Sequence, residues 1–187
     1  MKNTVFIQSN AAQRIGAKIS AHSFKRASAR PDSFNVRIVD VCEFPRLGTG
    51  GQSIRRGKEI REWDPDDLQS FTPLRFAPPQ MMGWNGRALV TDPDCFAHGE
   101  IADLFDRDMG DKAILAVQRP GHNGARDYVA TSVMLLESSK LKHWNFEQQL
   151  DDLFAKRFDY IDWIELKHED RATIGLLEHE YNDFDHL

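Results

Sequence analysis

Residues 86–105 read GRALVTDPDCFAHGEIADLF, and the rest of the chain takes its meaning from them. Residues 87–91 have the pattern of a short buried strand. Asp92-Pro93-Asp94 then leaves the strand, and residues 101–105 open an amphipathic turn of helix. Two carboxylates at i and i+2 on an extended backbone project to the same side. Pro93 fixes its own φ and pushes Asp92 towards extended conformations. The outcome is a stiff pair of oxygen ligands at the C-terminal end of a strand, where ligands bind in open α/β sheets. Hard cations such as Mn²⁺ or Mg²⁺ take oxygen ligands and share them with substrate phosphates. Asp-Pro-Asp is also an ordinary turn. The ALV strand before it and the GEIADLF segment after it favour the ligand reading. An EF-hand fails, because counting from Asp92 puts Ala97 where the loop needs Gly and Asp103 where it needs a bidentate Glu.

Upstream, residues 4–8 (TVFIQ) read as a first strand. Ser9 and Asn10 follow as turn and N-cap residues. Residues 11–29 read as a helix whose apolar stripe is Ala12, Ile15 and Ile19, widened by Ala17, Ala21 and Phe24. Pro31 ends it, and residues 36–41 (VRIVDV) form the next strand. Strand, helix, strand at this spacing predicts a parallel sheet with right-handed crossover. Residues 45–67 read as irregular and charge-rich, either a surface loop or a basic lid. They are not a phosphate-binding P-loop: five residues separate Gly51 from Gly57, and Glu59 follows Lys58. Thr72-Pro73 starts a helical turn that Pro78 and Pro79 are expected to stop, with Arg75 pointing away from its apolar neighbours.

Downstream, residues 113–117 and 128–136 read as strands, separated by a glycine-rich loop at 119–126. Residues 145–155 read as a helix with a capping box, Asn145 with Gln148. A chain of 187 residues suits one α/β domain with a mostly parallel central sheet flanked by helices. Hydrophobic residues at 41 % and charged residues at 28 % are an ordinary globular balance, and a net charge of −5 argues against general nucleic-acid binding. There is no run of about 18 apolar residues, so no transmembrane segment is expected. Cys42 and Cys95 lack paired spacing, which makes a reducing cytoplasm the default expectation. The seven histidines are scattered, and nothing supports a Ser-His-Asp, Cys-His or zinc hydrolase.

The segment LVTDPDCFAHGEIADLF resembles the Asp-x-Asp region of retaining, metal-dependent GT-A glycosyltransferases, the galactosyltransferase-like or glycogenin-like group of family eight. Their order is strand, Asp-x-Asp, a short apolar link, Gly-Asp-Ile, then a helix with a Leu-Phe pair; Glu100 stands here for the second Asp. The resemblance implies a GT-A, Rossmann-like fold over residues 1–187 and a nucleotide-sugar donor. It implies Mn²⁺ or Mg²⁺ on Asp92 and Asp94. It further implies donor contacts from Gln8, Ser9 and Asn10, from Arg75, and from Asp92, Pro93 and Asp94. For Ser9 and Asn10, capping of the helix is an equal alternative, and for Arg75 so is a salt bridge to Asp92. Ser132 is implied beside the donor sugar. Asp162 stands for the acid of an acidic-amide pair whose amide is replaced by Trp163, a residue that also suits the core.

Tyr181-Asn182 matches an aromatic-Asn pair of the family. The His and Lys-Pro-Trp motif that completes the family's metal site has no counterpart: His179 and His186 lack the trailing glycine, lysine and Pro-Trp. Truncation at the C-terminus is one expectation from this, and loss of the complete site is the other. The leading function is transfer of a sugar, expected to be carried as a UDP-sugar, to an unknown glycan, lipid or protein acceptor. A non-catalytic nucleotide-sugar-binding protein and a nucleotidyltransferase are the alternatives. No residue marks itself as a catalytic base.

Overall fold

The computed structural model describes residues 2–121 and 127–183. β1 (Thr4–Ser9) leads into α1 (Arg14–Ala27) and returns as β2 (Asn35–Asp40). A hairpin of β3 (Ser53–Arg56) and β4 (Glu59–Glu62) follows. Next come a 3-10 turn over Thr72–Phe76, α2 (Pro78–Met81), β5 (Arg87–Thr91) and α3 (Ala102–Asp106). β6 (Ile114–Arg119) and β7 (Tyr128–Glu137) precede α4 (Phe146–Phe154), α5 (Tyr160–Ile164) and β8 (Ile174–Leu176).

The main sheet has the order β2-β1-β5-β7-β6-β8. β1 pairs in parallel with β2 and β5, and β6 with β8, whereas β7 runs against both β5 and β6. Mostly parallel pairing with helices on both faces is the architecture expected from the sequence. Alternation along the strands divides the core. Phe6, Val90, Ala116 and Met134 face a large aromatic layer with Trp63, Phe76, Trp144 and Trp163. Val5, Ile7, Leu89 and Leu135 face a smaller aliphatic layer with α1 and α3. On β8, a Cβ at Gly175 would sit 2.5 Å from Leu115 Cδ2, so a side chain there would push the Leu115 methyl aside.

Three sequence expectations need correction. The 45–67 stretch is not wholly irregular, since Arg56-Gly57-Lys58-Glu59 turns an antiparallel hairpin with Gly57 at φ 64°. The turn begun at Thr72-Pro73 does end before Pro78, but the two prolines also open a new helix that was not expected, occupying the first positions of α2, where a missing N–H costs nothing. The apolar stripe of α1 is different too. Ala17 and Phe24 are buried as expected, and Ser20 with them, but Ile15 and Ile19, expected at the stripe's centre, are 75 % and 54 % exposed. The small residues Gly16, Ser20 and Ser23 turn α1 towards the loop after β5, which carries the isoleucines outward.

Candidate functional site

The Asp-Pro-Asp turn leaves the carboxyl end of β5 at the middle of the sheet. The Asp92 amide donates to the Ser132 carbonyl (3.0 Å), and the Cys95 amide donates back to the Asp92 carbonyl (3.2 Å), closing the turn. The turn rests on α1. A Cβ at Gly16 would lie 3.1 Å from the Pro93 carbonyl oxygen. Ser20 Oγ donates to the Cys95 carbonyl (2.5 Å), and the Ala97 amide donates to Ser23 Oγ (2.9 Å). Gly16, Ser20 and Ser23 stand on one helical face, which explains the small residues there.

Glu100 fastens the far end of the loop. It accepts from the Ser28 hydroxyl (2.5 Å), the Ala29 amide (2.7 Å) and the Ala102 amide (2.8 Å). The Ser28 hydrogen bond and these amides hold its carboxyl below the usual range. Glu100 thereby ties the end of α1 to the start of α3.

The two aspartates differ sharply. Asp94 is exposed and makes no hydrogen bond or ion pair with any described residue. Asp92 is buried and is gripped by Arg75 in a two-point fork: Nε donates to Oδ1 (2.9 Å), and a terminal nitrogen donates to Oδ2. The other terminal nitrogen of Arg75 donates to the Thr131 hydroxyl (2.8 Å), which donates onward to the Ile164 carbonyl (2.7 Å). The Arg75 and Asp92 side chains are only 12 % and 11 % exposed. Burial pushes the Asp92 carboxyl up, with Asp94 adding to the rise and Arg75 pulling against it; Arg75 itself is held above its ordinary value by Asp92.

A bulge places Thr131 and Ser132. Ala116 pairs with Met134, but Val117 pairs with Ala130, so residues 131–133 have no partner on β6. Such an insertion bends a strand and re-aims its side chains. It directs Thr131 at Arg75 and leaves the Ser132 hydroxyl to accept from the Asn182 amide (2.9 Å). Beside the bulge lies an open cleft of about 160 Å³, lined by Arg75, Arg119, Tyr128, Thr131, Ser132 and Glu165 among others. It is smaller and shallower than most small-molecule sites. Two guanidiniums in one cleft suit an anionic ligand.

Sequence reasoning missed Arg119, Thr131 and Glu165 as cleft residues. An arginine closing a mostly apolar β6 was the one available signal. Tyr181-Asn182 reaches the site through the Ser132 contact and through the Asn182 carbonyl, which accepts from Arg119.

The remaining candidates are placed as follows. Gln8, Ser9 and Asn10 end β1, the neighbour of β5, and all three are buried. Asn10 acts structurally: its oxygen accepts from the Gln13 amide (2.9 Å), and its nitrogen donates to the Asp67 carbonyl and the Ser70 hydroxyl (3.0 Å each). Ser9 Oγ donates to the Asn10 carbonyl (3.2 Å). Gln8 Oε1 is buried and finds no partner among the described residues. Asp162 pairs with Lys167 (2.7 Å) and does not line the cleft; Glu165, three residues on, does. Trp163 is core, stacked on Phe76 with ring centroids 4.4 Å apart. His179 lies in a 3-10 turn, and His186 and residues 122–126 of the glycine-rich loop fall outside the described residues.

For a hard cation, Asp94 is a ready ligand and Asp92 is not, since both of its oxygens belong to Arg75. Among the described residues no group of three or more His, Cys, Asp and Glu side chains is placed to hold a metal ion. As they stand, the two aspartates do not form a chelate.

No family model matches the chain, and no curated protein does. Solved structures do. The glycosyltransferase GlyE of Streptococcus pneumoniae TIGR4 superimposes with a TM-score of 0.64 at 17 % identity, over 97 % of this chain and 46 % of that one. The galactosyltransferase LgtC, solved with donor and acceptor sugar analogues, gives 0.61 at 15 % identity, over 93 % of this chain and 72 % of that one. Mouse xyloside xylosyltransferase 1 gives 0.53 at 14 % identity, over 94 % and 84 %. The chain therefore has the GT-A-like fold of these glycosyltransferases, and it spans less than half the length of the GlyE chain. Among the described residues no helix is long and apolar enough to cross a membrane.

Proposed function

We propose that this chain carries the donor-binding part of a retaining, family-eight-like glycosyltransferase, one that moves a hexose from a UDP-sugar to an acceptor hydroxyl. The observation that carries this reading is the Asp-Pro-Asp turn at the carboxyl end of β5, beside a cleft lined by Arg75 and Arg119, in a fold shared with glycosyltransferases. In the transfer, the bond from the anomeric carbon to the phosphate oxygen breaks, and the diphosphate takes the electron pair. The acceptor oxygen bonds to that carbon, and its proton passes to the departing phosphate. Charge grows on the phosphate, which is where guanidiniums act best.

Arg75 and Arg119 are assigned to the diphosphate, Asp94 and Pro93 to the donor, and Ser132 to the donor sugar. The end of β1, at Gln8 and Ser9, is assigned to the nucleotide side, with Asn10 bracing it from the following turn. Asp162, paired with Lys167 outside the cleft, is assigned no contact with donor or acceptor. Of the expected Mn²⁺ or Mg²⁺ ligands only Asp94 stands ready, so no step here runs through a metal. Both thiols are free, in keeping with a cytoplasmic protein.

Calorimetry with UDP and UDP-hexoses tests the reading. Micromolar to millimolar binding that is lost in Asp94→Ala supports it; no heat with any nucleoside diphosphate sinks it. Arg75→Gln would free Asp92, so this variant should bind Mn²⁺ more tightly than wild type in the absence of donor, read by the loss of free-ion EPR signal. The closed Arg75–Asp92 fork favours a second reading, donor binding without turnover. Donor affinity with neither transfer nor hydrolysis would select it.

A further inference from the structure

The first acidic residue of the chain is Asp32. Before it stand Lys2, Arg14, Lys18, Lys25, Arg26 and Arg30, although the chain as a whole carries −5. α1 concentrates this excess on its solvent side. Residues 15, 18, 19, 22 and 26 are all exposed and share one helical face. Arg14 and Arg30 are engaged by Asp40, Asp103 and Asp106, and Lys25 by the Pro31 and Phe34 carbonyls. Lys18 and Arg26 make no ion pair among the described residues; Lys18 stands in the turn between the exposed Ile15 and Ile19, and Arg26 lies about two turns further along the same face. Phe96, 52 % exposed, emerges next to the same helix, between the two points where Ser20 and Ser23 hold its loop. Two isoleucines and a phenylalanine interleaved with cations make an unpartnered surface of two chemistries. Water suits only the cations. An acidic protein surface would match the cations and leave the aliphatic groups unmatched.

We propose that the outer face of α1, with Phe96, docks on an anionic lipid bilayer surface. Ile15, Ile19 and Phe96 enter the headgroup boundary, and Lys18 and Arg26 meet the lipid phosphates, the arrangement of an interfacial amphipathic helix. The Gly16 contact with Pro93 rests the turn that carries Asp94 against another side of this same helix. Docking would thus hold the candidate site at a membrane, within reach of a membrane-borne acceptor. The surface stands on charge and exposure alone and needs no turnover.

The test is co-sedimentation of the full chain with vesicles of phosphatidylcholine, with and without about a third phosphatidylglycerol. Binding is expected only with the anionic lipid and should weaken as salt rises. Each of Lys18→Gln and Arg26→Gln should weaken it roughly fivefold, and Ile15→Ser/Ile19→Ser at least tenfold, with circular dichroism unchanged. Ile60→Ser, an equally exposed isoleucine on the hairpin, should bind as wild type does. Absence of binding to anionic vesicles, or binding that survives Ile15→Ser/Ile19→Ser, overturns the proposal. A dimer in sedimentation velocity that Ile15→Ser/Ile19→Ser dissociates, without vesicle binding, would give the surface to a second copy instead. UDP-sugar calorimetry on the same variants reports the donor site separately, so the two readings fail independently.

Discussion

The two faces of the sheet are built on different plans. One face is aromatic and is covered by short, irregular pieces: the Thr72–Phe76 turn, α2, α4, α5 and the hairpin. The other is aliphatic and is covered by α1 and α3. Arg75, Thr131 and the Ile164 carbonyl come from the first face and lock Asp92. Gly16, Ser20 and Ser23 come from the second and cradle the turn that presents Asp94. The same Asp-Pro-Asp therefore has one carboxylate committed to the fold and one left for a ligand. A motif matched by spacing need not use its two acids alike.

If the aromatic face locks the site, removing the lock should be the most damaging change. Arg75→Ala leaves Asp92 buried without its partner and should cost about 3–5 kcal/mol in urea unfolding. The double variant Arg75→Met/Asp92→Leu removes both charges and should recover most of that loss. A loss under 1 kcal/mol in the single variant would mean that Asp92 readily reaches solvent, and the contrast between the two aspartates would dissolve. Trp163→Ala, on the same face, should cost a similar ~3–5 kcal/mol, because it empties the space against Phe76.

This contrast also explains what could be read in advance. Strands with unbroken β-branched and aliphatic runs, such as Thr4–Ser9 and Arg87–Thr91, announce buried central strands, and the strand-helix-strand opening announces their parallel pairing. The Arg75–Asp92 pair was legible as one of two alternatives. The bulge was not, because nothing in YVATSVMLLE distinguishes a strand that skips three residues from one that does not. Arg119 enters the cleft only because β6 and β7 run on past the end of β5, a matter of sheet geometry. The α1 stripe misled because apolar periodicity was counted and close approach was not. Ile15 and Ile19 have the right spacing for a core, but Gly16, Ser20 and Ser23 are the residues small enough to meet the turn.

The aliphatic face should respond more mildly. Ser20→Ala removes the hydroxyl that the Cys95 carbonyl accepts from and should cost about 1 kcal/mol. Gly16→Ala is the finer probe. In a helix interior this change ordinarily stabilises by about 1 kcal/mol, but here the new methyl meets the Pro93 carbonyl oxygen at 3.1 Å. The gain should vanish in chemical denaturation, and donor binding at Asp94 should weaken with it. A full gain with unchanged donor affinity would show that the turn does not depend on α1.

The smallest effect is electrostatic and lies at the other end of the same loop. Ser28 and the Ala102 and Ala29 amides hold the Glu100 carboxyl below its ordinary value of 4.5. A carboxylate depressed in the fold adds stability that is present above its unfolded value and is lost as pH falls through its folded one. Thermal melts from pH 7 down to pH 3 should therefore fall more steeply below about pH 4.5 for wild type than for Glu100→Gln, with the two curves converging at the acid end. Parallel curves would mean that the clasp between α1 and α3 does not depend on charge. The contact of Gly16 with Pro93, together with Ser20 and Ser23, would then be left alone to hold the Asp94 turn in place.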